Sequence, residues 1–337
     1  MAFFDHALTF NMDLFDEHRD KMLISVDNNT PMWVGNTSKE LNKGEIKKHG
    51  IELEASYNHT VNQNLKLFVG GNFSFNENRI LYADDAPFAL SHQRKIGTPL
   101  GAQLSGVYMS GDGYLSSVDD IHSNILPGSV SDVVIGDYKF LDYTADGIID
   151  RDDLARMEGS LYPPIAYGFN FGAKWKGFDL NVQFQGYGQK WVIYDQMYQW
   201  EFYKGNYRTH LSSLDYWTPE NRDATHGAVH YSASSFVNMS WSGYNESATT
   251  GGYNAKIMGQ SWRRADYLRL KEVSLSYTLD GKAVKNFLGV KSLRAYITGN
   301  NLLTFTDLLE GDPESKYLVW GDYPHMRTIK IGVQIGM

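Results

Sequence analysis

The sequence contains no cysteine. That excludes disulfide frameworks, thiolate zinc centres and thiol nucleophiles. Proline is scarce, at 9 of 337 residues. No apolar run approaches the ~18 to 20 residues that a transmembrane helix needs. The opening stretch from Met1 to Asp20 has no basic region, apolar stretch or small-residue cleavage site, so it does not read as a signal peptide. Basic residues are not in excess. Lys and Arg total 31 against 39 Asp and Glu, a net charge of −8, which gives no electrostatic footprint for nucleic acid. A hydrolase elbow, a P-loop and a dinucleotide fingerprint are all missing, and the acidic pairs Asp84-Asp85 and Asp152-Asp153 read as solvated surface. The chain does not read as an enzyme.

What is present is period 2. Leu8, Phe10, Met12 and Leu14 alternate with polar neighbours. The same holds for Ile51 to Tyr57, Leu65 to Phe75, Tyr167 to Trp175, Phe178 to Phe184, Val273 to Leu279, Leu293 to Gly299 and Ile329 to Met337. Such alternation puts one strand face in an apolar medium and the other in a polar one. Helical spacing is nearly absent; Lys282 to Leu288 could make a turn or two. A mean hydropathy of −0.40 does not argue against a membrane, because a barrel strand is apolar only at alternate positions.

Connection lengths sharpen the reading. Short links, such as Asn58 to Asn64 and Trp175 to Phe178, alternate with long ones, at roughly 15–45, 77–161, 187–261 and 303–326. Outer-membrane barrels pair short periplasmic turns with long extracellular loops, whereas compact soluble sandwiches rarely carry such excursions. The Gly-rich stretch Gly101 to Met109 fits inside the second excursion rather than as a spanning strand. Aromatics near strand ends, including Trp175, Phe178 and Tyr277, suit interfacial girdles. The expectation is an all-β fold: about eight antiparallel transmembrane strands with long extracellular loops.

Two local patterns carry candidate chemistry. Asp142, Thr144, Asp146, Ile148, Asp150 and Asp153 fall at positions 1, 3, 5, 7, 9 and 12 of a calcium-type loop, with Gly147 at position 6. Thr144 and Asp153 depart from the usual ligands, and the competing reading is an acidic turn whose carboxylates bond its own backbone. The second pattern is an aromatic-dense excursion containing Trp191, Tyr194, Trp200, Tyr203 and Trp217. Its rings could stack on a glycan or peptide, or pack on one another. The 10 His are scattered and form no metal set.

Four ordered stretches resemble the C-terminal region of SusC/RagA-type TonB-linked outer-membrane transporters. These are Gly136 to Asp153, Tyr162 to Gly172 with its continuation to Gly186, Trp217 to Asn221 followed by Tyr267 to Leu279, and Tyr296 to Leu302 followed by Tyr323-Pro and Arg327-Thr. The entry from Lys43 to Glu54 fits as well. The resemblance implies that residues 1–337 are the C-terminal barrel portion of such a receptor, with plug domain and signal peptide absent. The whole barrel would have roughly 22 strands. Met337 stands where the family prefers a terminal aromatic. The resemblance also implies import of glycan oligosaccharides or peptides. It implies a SusD-like surface lipoprotein and the TonB system as partners, and a place in the outer-membrane lipid. The alternative is a soluble or surface-exposed β-rich carbohydrate-binding module that uses the aromatic excursion.

Overall fold

The computed structural model describes residues 2–3, 7–26, 40–102, 104–106, 109–125, 134–149, 151–194, 211, 214–228, 262–280, 289–315, 317–318 and 323–336. In chain order the strands are β1 (Ala2–Phe3), β2 (Leu8–Ser25), β3 (Glu40–Asn62), β4 (Leu65–Tyr82), β5 (Leu104–Gly106), β6 (Met109–Tyr114), β7 (Tyr138–Phe140) and β8 (Ala155–Arg156). They continue as β9 (Ile165–Trp175), β10 (Phe178–Gly188), β11 (Trp191–Tyr194), β12 (Trp262–Arg264), β13 (Tyr267–Asp280), β14 (Ser292–Thr306), β15 (Tyr317–Leu318) and β16 (Thr328–Gly336). One short helix, α1 (Val118–Ser123), is capped by the Ser117 side chain, which accepts from Asp120 N at 3.0 Å.

One antiparallel sheet dominates, in the order β1-β2-β3-β4-β9-β10-β13-β14-β16. Its eight long strands correspond to the eight apolar stripes of the sequence; β1 adds two residues at an edge. Among the described residues the outer strands do not pair with each other, so the sheet is open. The stretch around Gly101 to Met109 contributes to small separate sheets, β5-β8 and β6-β7, as its place within an excursion required.

Connections divide between the two ends of the sheet. Residues 63–64, 176–177 and 281–291 link strands at one end. Residues 26–39, 83–164, 189–266 and 307–327 link them at the other. The first expected excursion, 15–45, is a correction. Most of it is strand, because β2 runs on to Ser25 and β3 starts at Glu40. Beyond Leu14 and Ile51 the outward positions become Asp16, His18, Lys47 and His49. Both faces are polar there, so no alternation marks the strand. Backbone pairing continues the ladder from Asp16↔His49 to Ser25↔Glu40, joined by cross-strand contacts such as Lys47–Asp16 at 3.0 Å. At ~3.3 Å per residue, the 23 residues of β3 far exceed a bilayer's apolar thickness.

The turn between β9 and β10 shows how local chemistry sets register. Trp175 pairs with Phe178, leaving Lys176 and Gly177 as a two-residue hairpin loop. Both have positive φ, 45° and 89°. That sign at both central residues is what a type I′ turn needs to match strand twist. A Cβ on Gly177 would come within 2.7 Å of the Thr278 carbonyl oxygen, so Gly serves there by size as well as by φ.

Burial is inverted relative to a soluble sandwich. The sheet's apolar side chains face out: Leu14 is 70% exposed, Val69 49% and Ile331 80%. Apart from Tyr267 at the start of β13, the buried apolar residues lie instead in the long connections. One cluster joins Tyr114, Tyr138, Phe140, Ile149, Leu154 and Trp217. Another joins Val192, Tyr194, Ala265 and Leu308, and a third Leu161, Ile193 and Trp262. Exposed apolar patches beyond a few hundred Å² mark an interface or a membrane.

Candidate functional site

The polar face of the sheet is built by register. Asn11 stands opposite Glu54, which stands opposite Asn72, and Asp13 stands opposite Glu52. Gln183 and Gln185 extend the row across β10. These side chains line a hollow of about 580 Å³ on this concave, inner face. Two Asn–Gly pairs keep the wall flush: the Asn72 side chain lies over Gly168, and that of Asn170 over Gly70. Like charges directly opposite, as at Asp13 and Glu52, weaken a strand pair. The inner face tolerates this cost at mid-sheet, whereas the outward like-charge pair Lys47 and Arg79 lies beyond the apolar stripe.

A second hollow, of about 560 Å³, opens at the loop end where β4 parts from β9. Pairing between the two strands stops at Phe75↔Ile165. Asn78, Arg79, Arg156, Tyr162, Trp191 and Arg264 line the gap. Arg156 is held by the Gln93, Arg94 and Ala102 carbonyls at 3.0, 2.7 and 3.3 Å. Burial lowers its pKa.

The acidic turn folds on itself. Asp142 accepts from Gly147 N at 2.8 Å and from Asp146 N at 3.3 Å. Burial pushes its carboxyl upward, but these backbone bonds outweigh it and leave the pKa lowered. Asp153 is fully buried, and its Oδ1 accepts from Tyr143 N at 2.8 Å, Thr144 N at 3.1 Å and Thr144 Oγ1 at 3.1 Å. Asp146 accepts from Ile148 N at 2.9 Å, while the Ile148 side chain is exposed. Asp150 lies outside the described residues. Among those described, no group of three or more His, Asp or Glu side chains has a metal-holding arrangement.

The aromatic candidates separate. Trp217 is buried among Tyr114, Tyr138 and Phe140. Tyr194 is buried too, and its hydroxyl donates to the Glu310 carbonyl at 3.0 Å. Both rings stabilise loop packing. Trp191 is half-buried; it stacks on Trp262 at 5.6 Å with planes 9° apart and lines the second hollow. Trp200 and Tyr203 lie outside the described residues. His226, one of the scattered histidines, is buried beside Thr225, and burial lowers its pKa.

Sequence reading missed one cluster. Arg269 is on the inner row of β13 and is only 3% exposed. It meets Asp312 at 2.6 Å and Glu314 at 2.8 Å. The signal was available in part: an Arg between Leu268 and Leu270 falls on the polar face. Its partners, 43 and 45 residues away, could not be read from spacing.

Proteins of similar sequence and similar fold are known. The chain is 25% identical to TonB-dependent receptor P3 of Formosa agariphila over 99% of its own length and 33% of that receptor. It is 28% identical to TonB-dependent receptor P26 of the same organism, over 60% of the chain and 20% of the relative. The chain resembles the C-terminal part of SusC/RagA-like TonB-dependent receptors. Its fold matches the solved RagAB peptide importer in the open-open state with a TM-score of 0.69 at 22% identity, covering 99% of this chain and 33% of that one. The closed-closed state matches with a TM-score of 0.67, also at 22% identity, over 98% and 34%. No protein-family model matches the chain. The chain thus spans about a third of the length of the TonB-dependent receptor that matches it from end to end. The all-β, antiparallel barrel-wall expectation holds, as an open wall segment.

Proposed function

We propose that this segment is part of the barrel wall of an outer-membrane importer energised through TonB. The observation that carries the reading is the inverted burial: one sheet face is apolar and exposed, the other is polar and concave, and ordered loops gather at one end. Lipid would cover the first face, the transport path would run along the second, and the loop end would face outside the cell. The imported ligand would be a glycan oligosaccharide or a peptide, met at the loop end with a SusD-like lipoprotein as partner. RagAB, whose fold matches, is a peptide importer, which lends support to the peptide arm. The Trp191 platform and the amide-rich inner wall suit either chemistry. The reading is of a transporter segment without catalysis of its own.

The test uses the full-length receptor. Outer-membrane fractions should retain it through carbonate washing and release it only into detergent, and tagged receptor should bring down a surface lipoprotein. Release into buffer without detergent would refute the membrane reading and favour a soluble β-rich module.

Calcium belongs to the same proposal for the turn at Asp142 to Asp153. Its support is the spacing, together with the oxygens that Asp142, Asp146, Asp150 and Asp153 bring to one short turn. Calorimetric titration of the receptor should then show heat at or below millimolar calcium. No heat at that level removes calcium from the account.

A further inference from the structure

Arg269 is covered although the sheet around it is open on that face. What covers it is the segment 307–315, which leaves β14 and turns inward. Asp312 and Glu314 take the guanidinium from this segment, and Thr304 Oγ1 accepts from Nε at 2.9 Å. Lys271 Nζ adds a bond to Glu314 at 3.0 Å.

The same segment is gripped from its other side by the start of β11. Lys190, 4% exposed, donates through Nζ to the carbonyls of Pro313 and Ser315, the latter at 2.6 Å. The Tyr194 hydroxyl donates to Glu310 O at 3.0 Å and accepts from Glu310 N at 3.1 Å. Ile193 and Tyr194 pair in parallel with Tyr317 and Leu318. β11 in turn pairs with β12, from Trp191↔Arg264 to Ile193↔Trp262. β11 and β12 are where the chain leaves for and returns from residues 195–261. Two separate loop-end connections therefore share one joint.

We propose that the 307–315 strap is a joint that holds the β11–β12 base in place, with Arg269 and Lys190 as its positioning residues. Arg269 ties the strap to the barrel wall; Lys190 ties it to the base of the neighbouring excursion. The two connections then shift together, so a ligand or lipoprotein that moves one moves the other. Only this last, transport-related consequence rests on the proposed function.

Hydrogen exchange of the full-length receptor in detergent, read by mass spectrometry, tests the joint. Arg269→Met should speed exchange by more than about 100-fold, and Lys190→Met by about tenfold, in 307–315 and alike in 190–194 and 262–265. Arg269→Lys, which keeps the charge, should recover part of the protection. The triple variant Arg269→Met, Asp312→Asn, Glu314→Gln strands no carboxylate, and it should still loosen β11 and β12. Faster exchange confined to 307–315 in both single variants would overturn the joint. Import kinetics separate the two readings. Loosened β11 and β12 with unchanged KM would keep the joint and remove the ligand role.

Discussion

Arg269 and Asp312 form a buried ion pair at 2.6 Å, with side chains 3% and 7% exposed. The pair joins a strand of the wall to a loop 43 residues later. Glu314, at 2.8 Å, gives the guanidinium a second carboxylate. Breaking a buried pair by removing one partner leaves the other charge stranded. Arg269→Met should therefore cost about 3–5 kcal/mol in local stability of the strap. Denaturant dependence of exchange in 307–315 measures it, and a cost below ~1 kcal/mol would mean that water already reaches the carboxylates.

The strap should also loosen in acid. For Asp312 and Glu314, burial works to raise the pKa. Backbone N–H groups and Arg269 outweigh it for Asp312, and the Lys271 side chain does so for Glu314, so both stay lowered. A lowered carboxyl contributes stability that is fully present above its unfolded pKa and is lost as pH falls through the folded value. Protection of 307–315 should be flat at neutral pH and should fall only below the ordinary carboxylate range, near pH 4. Loss of protection already at neutral pH would contradict this assignment to the two carboxyls.

Asp153→Ala should unfold the acidic turn locally. Three donors on Tyr143 and Thr144 lose their acceptor at once. With Asp153 fully buried, the expected cost is about 2 kcal/mol or more. Faster proteolytic cleavage between 141 and 153, with strands intact, is the readout. Wild-type cleavage rates would show that the turn is held by other contacts.

Gly177→Ala should slow assembly of the β9–β10 hairpin. The residue sits at φ 89°, and an added Cβ meets the Thr278 oxygen. A non-glycine residue at positive φ costs roughly 1–2 kcal/mol before that clash is counted. Lower yield of folded, heat-modifiable receptor is expected; an unchanged yield would mean that the turn adapts.

Much of the fold was legible because lipid-facing strands alternate. All eight long strands could be placed from stripes such as Leu8 to Leu14 and Phe178 to Phe184. The rest was hidden where the physics changes. Above the apolar band, Asp16, His18, Lys47 and Arg79 face outward, so polarity no longer tells inside from outside. Trp217 and Tyr194 look like ligand-facing rings in sequence. The structure buries both, because loop clusters need aromatic cores as much as ligands need platforms. The Arg269 joint depends on a fold-back that no local pattern encodes.

The central claim is that one face of this sheet lies against lipid. The segment has no cysteine of its own, so single cysteines placed in it can be read cleanly in a receptor freed of any others. A polarity-sensitive label at Phe169 and Phe171, and in parallel at Gly168 and Asn170, should be placed in receptor embedded in outer membrane. A lipid-borne quencher should reach 169 and 171, while a water-soluble quencher should reach 168 and 170. Equal quenching at all four positions, or the reverse pattern, would contradict the claim.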